Sequence, residues 1–177
     1  MENEKLIKEA LSYSLGSDLH EAWRAPRKLE DGTFESRMKK SKDEDWNKAH
    51  GTDDVDIANT SFKDLPSNWQ YENLEAARVC IELVFDKVVN GEVITDDELI
   101  QMATKIHDEW LKRNNWVYDT QYGDPKLAVP FAELSADEQA KDVAQIEPAV
   151  RKVESYMRGE LDINSIAEEY NLKQSTK

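Results

Sequence analysis

The chain has 177 residues, of which 37 are acidic and 23 are basic, so its formal net charge is −14 at pH 7. A charge of this sign and size repels the phosphate backbones of DNA and RNA, so we expect neither as a partner. No stretch approaches the roughly 18 consecutive apolar residues of a membrane-spanning helix, so no membrane association is expected. The single cysteine, Cys80, excludes an intrachain disulfide and favours a reducing compartment. We therefore expect a cytoplasmic protein, in the host cytoplasm if the chain is viral.

The first half of the chain predicts two long helices with a polar segment between them. Apolar residues at helical spacing predict a helix over residues 3–23, with a kink or break near Gly16. Residues 24–61 are polar and have no sustained period, which predicts irregular structure with short strands or turns. Ser67 and Gln70 have the spacing of a capping box, which predicts a second helix that ends before Asn90 and Gly91.

The next part of the chain predicts a third helix and then a second irregular segment. Thr95 and Glu98 form a capping-box pair that opens a helix running through Trp110. Residues 114–130 contain tryptophan, tyrosine, glycine and proline in short groups, which predicts short strands and turns.

The C-terminal part predicts one long interrupted helix and a short one. Ser135 and Glu138 have capping-box spacing, and the helix that they open extends to about Met157. Pro148 lies inside this helix and predicts a kink or break, because proline cannot donate the backbone hydrogen bond of a helix interior. Residues 161–177 predict a tail with one short helix that frays. The predicted fold class is therefore mainly α with short antiparallel strands.

A motif near the N-terminus returns in the second half of the chain. The sequence LHEAW, with His20, is followed 87 positions later by IHDEW, with His107. Each copy is followed by an irregular stretch, then by Phe-x-acid-Leu (FKDL and FAEL), and then by a capped helix. This shared order predicts a duplication, with two repeats packed as a pseudo-twofold pair. The predicted domains are a first repeat at 1–91 with an insertion at about 28–58, a second repeat at 92–160, and a tail at 161–177.

The second repeat resembles the RyR domain, a tandem repeat named after ryanodine receptors. The matching residues there are His107, Trp110, Trp116, Tyr118, Pro125, Leu127, Pro130, Phe131 and Leu134. In the first repeat they are His20, Trp23, Arg27, Gly32, Phe62 and Leu65. The first repeat lacks the family's Pro-x-Leu-Val-Pro run and has VDIANTSF before its motif, and the second is about three residues short between its tryptophans.

The resemblance implies a mainly helical fold of two repeats packed face to face. It also implies a small protein of bacterial or phage type that binds a nucleotide-derived signal. We therefore expect a non-enzymatic protein that captures an ADP-ribose-type or cyclic nucleotide, for example a phage sponge that counteracts bacterial defence signalling.

Such a site needs aromatic rings that stack on a base and cations that bind phosphate. The residues predicted to bind the ligand are His20, Trp23, Arg24, Arg27, His107, Trp110, Arg113, Trp116, Tyr118 and Tyr122. For the two histidines, we expect rings that bond a backbone carbonyl or line the site. For Trp23 and Trp110, the alternative is that they are core residues on helix faces.

Other chemistry is not expected from this sequence. The three histidines do not form a metal-binding group, no glycine-rich phosphate loop is present, and no catalytic residues can be identified, so we expect no metal and no cofactor. Cys80 lies in an apolar run and is expected to be a core thiol. Two other functions stay open: an acidic protein-interaction module or inhibitor without a small-molecule ligand, and a hydrolase that degrades the signal. The protein could also form a homo-oligomer.

Overall fold

The computed structural model describes residues 3–173, and this part of the chain is mainly helical. The α-helices are α1 (Glu4–Arg24), α2 (Glu44–His50), α3 (Ser67–Val89), α4 (Asp96–Arg113), α5 (Ala136–Val143), α6 (Ile146–Met157) and α7 (Ile163–Glu169). Short 3-10 helices cover Ala25–Arg27, Phe62–Asp64, Asn115–Tyr118 and Phe131–Glu133. Strands β1 (Met38–Lys40) and β2 (Asp54–Asp56) pair antiparallel with Lys39 opposite Val55. The predicted fold class is confirmed.

The chain divides into two compact units. The first consists of residues 1–77 together with 163–177, and the second of residues 78–162. Helix α3 runs through the boundary at residues 77 and 78. Between residues 3 and 173, no helix is long and apolar enough to cross a membrane. The pseudo-twofold relation between the repeats stays a prediction.

Helix α1 supplies much of the core of the first unit. Its N-terminus is capped by Asn3, and its buried face includes Leu11, Leu15 and Gly16. The predicted break at Gly16 is wrong, because α1 is continuous from Glu4 to Arg24. A β-carbon at Gly16 would lie 3.0 Å from Cζ of Phe62, so the glycine makes room for this buried ring. This packing offsets the low helix propensity of glycine.

Helix α7 packs against α1 within the first unit. The rings of Tyr13 and Tyr170 lie 4.8 Å apart, and Tyr170 meets the edge of Phe62 at 6.1 Å. Ile163 and Ala167 on α7 are buried. The prediction that this short helix frays is therefore wrong for its described residues, since its apolar side is held by the core.

The insertion in the first unit contains a helix that the polar sequence did not predict. Asp43 caps two helices: one oxygen accepts from the backbone N–H of Trp46 in α2, and the other accepts from Ser67 at 3.0 Å. The predicted capping box at Ser67 is wrong, because Ser67 is the first residue of α3 and Asp43 satisfies its N–H. The indole of Trp69 donates to the carbonyl of Lys40, so α3 and β1 are tied together.

The start of the second unit follows the predicted helix signals. Helix α3 ends at Val89, and Gly91 follows with a φ of 70°. Thr95 and Glu98 form the predicted capping box at the start of α4. Both predictions are confirmed, because each end needs only local side-chain or backbone geometry.

Two departures occur later in the second unit. Residues 114–130 form a 3-10 helix and turns, so the predicted strands are wrong. The carboxylate of Asp119 accepts the backbone N–H groups of Gln121 and Tyr122, which favours a turn over an extended strand. The helix that opens at Ser135 is interrupted between α5 and α6, and Pro148 is the third residue of α6. The break predicted from Pro148 is confirmed, since proline has no N–H to donate to the previous turn.

Candidate ligand-binding sites

The two motif histidines make the same hydrogen bond in their own units. Nε2 of His20 lies 2.8 Å from the carbonyl oxygen of Thr60, and Nε2 of His107 lies 2.7 Å from that of Val129. A carbonyl only accepts, so Nε2 carries a proton in both rings. The expectation that these rings bond backbone carbonyls is confirmed.

The acceptor carbonyls belong to the segment that carries Phe-x-acid-Leu. Thr60 precedes Phe62 by two residues, and Val129 precedes Phe131 by two. A glutamine eight residues after each phenylalanine donates back to its carbonyl, Gln70 at 2.8 Å and Gln139 at 3.1 Å. Each Phe-x-acid-Leu segment is therefore held by two side chains, a histidine that precedes it in the chain and a glutamine that follows it.

Each histidine is also stacked on the tryptophan of its motif. The ring centroids of His20 and Trp23 are 5.8 Å apart with planes 19° from parallel. Those of His107 and Trp110 are 5.9 Å apart with planes 15° from parallel. Both tryptophans are half-buried on helix faces, so they contact the core and also reach the surface. Matching bonds and matching stacks support the predicted duplication.

Each stacked pair lines a small cavity within its own unit. The first cavity has a volume of about 180 Å³ and is lined by His20, Trp23, Ile57, Leu65, Trp69, Glu72 and Asn73. The second has a volume of about 220 Å³ and is lined by His107, Trp110, Leu127, Leu134, Glu138, Lys141, Asp142 and Gln145.

The helical walls of the two cavities correspond position by position. Seven, ten and eleven residues after its phenylalanine, the first repeat has Trp69, Glu72 and Asn73. At the same positions the second repeat has Glu138, Lys141 and Asp142. Each repeat therefore has its own cavity at the corresponding place, but the side chains that form the two walls differ in chemistry.

The wall of the first cavity contains three aromatic rings, those of His20, Trp23 and Trp69. Trp23 and Trp69 both line it, and each indole has a cation close by. The guanidinium carbon of Arg27 lies 4.4 Å from the Trp23 ring centre, and Nζ of Lys39 lies 5.7 Å from that of Trp69. Burial lowers the pKa of His20, although its bond to Thr60 opposes the shift, so the ring is neutral at pH 7.

The wall of the second cavity is ionic. Nδ1 of His107 lies 3.4 Å from a carboxylate oxygen of Asp142. Burial raises the pKa of Asp142, and the charge of His107 opposes this rise. Lys141 pairs with Glu138 at 2.6 Å.

The structure brings some predicted ligand-binding residues to the cavities and leaves others outside. Arg24 pairs with Glu21 at 2.8 Å and lies over the ring of Phe34, so it braces the insertion. Arg113 lies near enough to Cys80 to oppose the rise in that thiol's pKa. Trp116 touches Trp110 edge-on at 6.3 Å and is half-exposed.

Tyr118 and Tyr122 are exposed, and the described lining of the two cavities does not include them. The polar wall residues were missed by sequence reasoning. Among these are Glu72, Asn73, Lys141 and Asp142. A signal was present, because they follow the Phe-x-acid-Leu motif at helical spacing and lie on one helix face.

No metal centre is formed by the part of the chain from residue 3 to residue 173, where no group of three or more metal-ligating side chains is found. No family model matches the chain, and neither a curated protein nor a solved structure does.

Proposed function

We propose that the chain is a non-enzymatic binding protein that captures a nucleotide-derived small molecule. The observation that supports this best is the stacked histidine–tryptophan pair that lines a cavity in each repeat. Trp69 adds a second indole to the lining of the first cavity, and the guanidinium of Arg27 lies over the ring of Trp23. Stacking surfaces beside a cation fit a base joined to a phosphate.

The first cavity assigns a role to each type of group. Trp23 and Trp69 would contact the faces of the base, and Glu72 with Asn73 would accept or donate hydrogen bonds to ribose hydroxyls. Arg27 would bind phosphate, because a guanidinium grips oxyanions with two parallel bonds. At about 180 Å³ the cavity encloses part of a nucleotide, so the phosphates would lie outside it.

The resemblance of the two motifs to RyR domains supports an ADP-ribose-type or cyclic nucleotide as the ligand class. A protein that sequesters such a signal returns it unchanged, as a phage sponge against bacterial defence would. In the part of the chain that the structure describes, neither cavity has a metal-ligating cluster that would activate water. Capture without turnover is therefore the function that we propose.

Calorimetry with ADP-ribose and with cyclic mono- and dinucleotides tests the proposal. We expect one of these ligands to bind and Trp23→Ala to weaken binding about tenfold or more, which is the range of one lost base stack. Tyr71→Ala is the matched control, because Tyr71 is exposed on α3 and outside the cavity lining. Circular dichroism confirms that each variant is folded.

Two results would overturn the proposal. One is that none of these nucleotides binds the parent protein. The other is that Trp23→Ala and Trp110→Ala both bind as the parent does. Recovery of the ligand after denaturation separates capture from hydrolysis, because a hydrolase would return a product of different mass.

A further inference from the structure

Two apolar residues that are covered in the first unit have exposed equivalents in the second. The His20 to His107 offset of 87 positions pairs Leu6 with Val93 and Tyr13 with Ile100. Leu6 is 5% exposed, and Tyr13 stacks on Tyr170, which follows α7. Val93 is 83% exposed and Ile100 is 50% exposed. Ile100 in α4, and Val93 just before this helix, therefore lack the cover that their equivalents have in the first unit.

An apolar groove adjoins these two residues and belongs wholly to the second unit. It has a volume of about 580 Å³, and its aliphatic wall consists of Val88, Ile94, Leu99, Val143 and Val150, with Ile146 below. These five wall residues are half-buried, so each shows apolar surface to solvent. The groove and the two exposed residues are continuous in sequence, since Val93 precedes Ile94 and Ile100 follows Leu99.

One wall residue of the groove has a covered equivalent in the first unit. Counted from the motif phenylalanines, Val143 corresponds to Leu74. Leu74 is 7% exposed and belongs to the core cluster of Phe62, against which Tyr170 packs. In the first unit this place is filled by Tyr170, which directly follows α7, a short helix with Ile163 and Ala167 buried.

The rim of the groove determines the charge of the expected occupant. The lining contains Glu92, Glu147 and Glu154 and includes no lysine or arginine. Asp96 and Asp97, in the first turn of α4, add negative charge beside it. Lys87 and Arg151 pair with two of these glutamates, but the Arg151–Glu147 pair is exposed and such pairs are weak.

A second copy of the chain fits this rim poorly. The chain has a net charge of −14, and its own α7 carries Glu168 and Glu169. A copy of α7 docked on this groove would bring these carboxylates to a rim of the same sign, which opposes association. The complementary occupant is a helix with basic flanks.

We propose that this groove docks an amphipathic helix of a partner protein, with apolar residues at i, i+3, i+4 and i+7 and lysine or arginine beside them. The helix would occupy in the second unit the place that Tyr170 and the adjacent α7 occupy in the first. This site is distinct from the two histidine–tryptophan cavities, so it stands whether or not a nucleotide binds.

A random peptide library displayed on phage tests the proposal with the full chain as bait. Peptides that bind the parent are then offered to the variant Ile94→Glu/Val150→Glu, in which two charges stand on the groove wall. Peptides that also bind this variant are discarded. We expect the surviving peptides to share a helical apolar pattern and a net positive charge. One of them, made synthetically, should bind at least tenfold more weakly to Glu147→Lys/Glu154→Lys than to the parent.

Leu29→Glu is the matched control, because Leu29 is an exposed apolar residue of the first unit. It should bind the peptide as the parent does. When the peptide is added to the parent protein, the amide NMR signals that shift should be those of residues 88–99 and 143–154. The proposal is overturned if no peptide survives the counter-selection, if survivors are acidic or lack the pattern, or if Leu29→Glu weakens binding equally. Concentration-dependent dimerisation that Ile94→Glu/Val150→Glu abolishes would also overturn it, because the occupant would then be a second copy.

Discussion

His20 and His107 use the same ring nitrogen to bond the carbonyl two residues before a buried phenylalanine. The sequence separation from histidine to phenylalanine is 42 residues in the first repeat and 24 in the second. The two bonds are therefore the same although the segments between histidine and phenylalanine differ in length by 18 residues. The bond, rather than the length of the irregular stretch, is what the two motifs have in common.

Removing this bond should destabilise the protein. In His107→Ala the carbonyl of Val129 loses its donor in a buried setting, and an unsatisfied buried group costs about 1–3 kcal/mol. Urea unfolding measures the loss. The control is His50→Ala, which removes a ring stack and a carbonyl bond of the same kind at an exposed site, where water can reach the Trp46 carbonyl. Equal losses in both variants would show that burial at His107 does not matter.

Acidification should weaken the fold through His20. Its folded pKa is lowered from 6.5, chiefly by burial, so folding favours the neutral ring. The stability that the neutral His20 ring contributes is full above about pH 6.5 and is lost as the pH falls toward the folded pKa. The loss amounts to about 1.4 kcal/mol for each unit by which folding lowers the pKa. We expect His20→Gln to lose less stability than the parent between pH 7 and pH 5. Parallel stability curves for the two proteins would contradict this cause.

Asp142→Asn should stabilise the protein at neutral pH. Burial raises the folded pKa of Asp142 above 3.8, so the ionised form that predominates at pH 7 is penalised on folding. The first repeat already has Asn73 at this position. We expect a gain in stability at pH 7 that shrinks as the pH falls through the folded pKa and is lost below 3.8. A loss at pH 7 would show that the contact of the Asp142 carboxylate with His107 is stabilising on balance.

The thiol of Cys80 should be unreactive in the folded protein. It is buried, and burial raises its pKa to about 12, so almost no thiolate exists at pH 8. Iodoacetamide should modify it only after unfolding, as mass spectrometry would show. In Cys80→Ala/Met157→Cys the exposed new thiol should react at once. Rapid labelling of native Cys80 would mean that the second unit opens locally.

The local signals in this sequence were more informative than the long-range ones. The capping box at Thr95 and the break near Pro148 were predictable, because each depends on residues a few positions apart. The cap of α3 was not, since its acceptor Asp43 lies 24 residues before Ser67 in the chain. The two matching motifs were visible in spacing alone, and the duplication that they predict stays a prediction. That Trp69 lines a cavity while Tyr122 does not could not be predicted, because tertiary packing determines which aromatic residues reach the cavity wall.

Gly16 and Ala103, which the 87-residue offset of the two motifs aligns, give a last test of how closely α1 approaches Phe62. In α1 a β-carbon at Gly16 would lie 3.0 Å from Phe62, whose ring is held in a core cluster by Leu65 and Leu74. In α4 the β-carbon of Ala103 is already present and fully buried. Gly16→Ala should therefore destabilise by about 1–3 kcal/mol through overpacking, which exceeds the gain of about 1 kcal/mol in helix propensity.

Ala103→Gly should also destabilise, by about 1 kcal/mol, through lost propensity and a lost buried methyl. Thermal and urea unfolding of both variants measure the two changes. If Gly16→Ala is instead more stable than the parent, the Phe62 ring yields to the new methyl, and the glycine is not required for the close approach of α1 to Phe62.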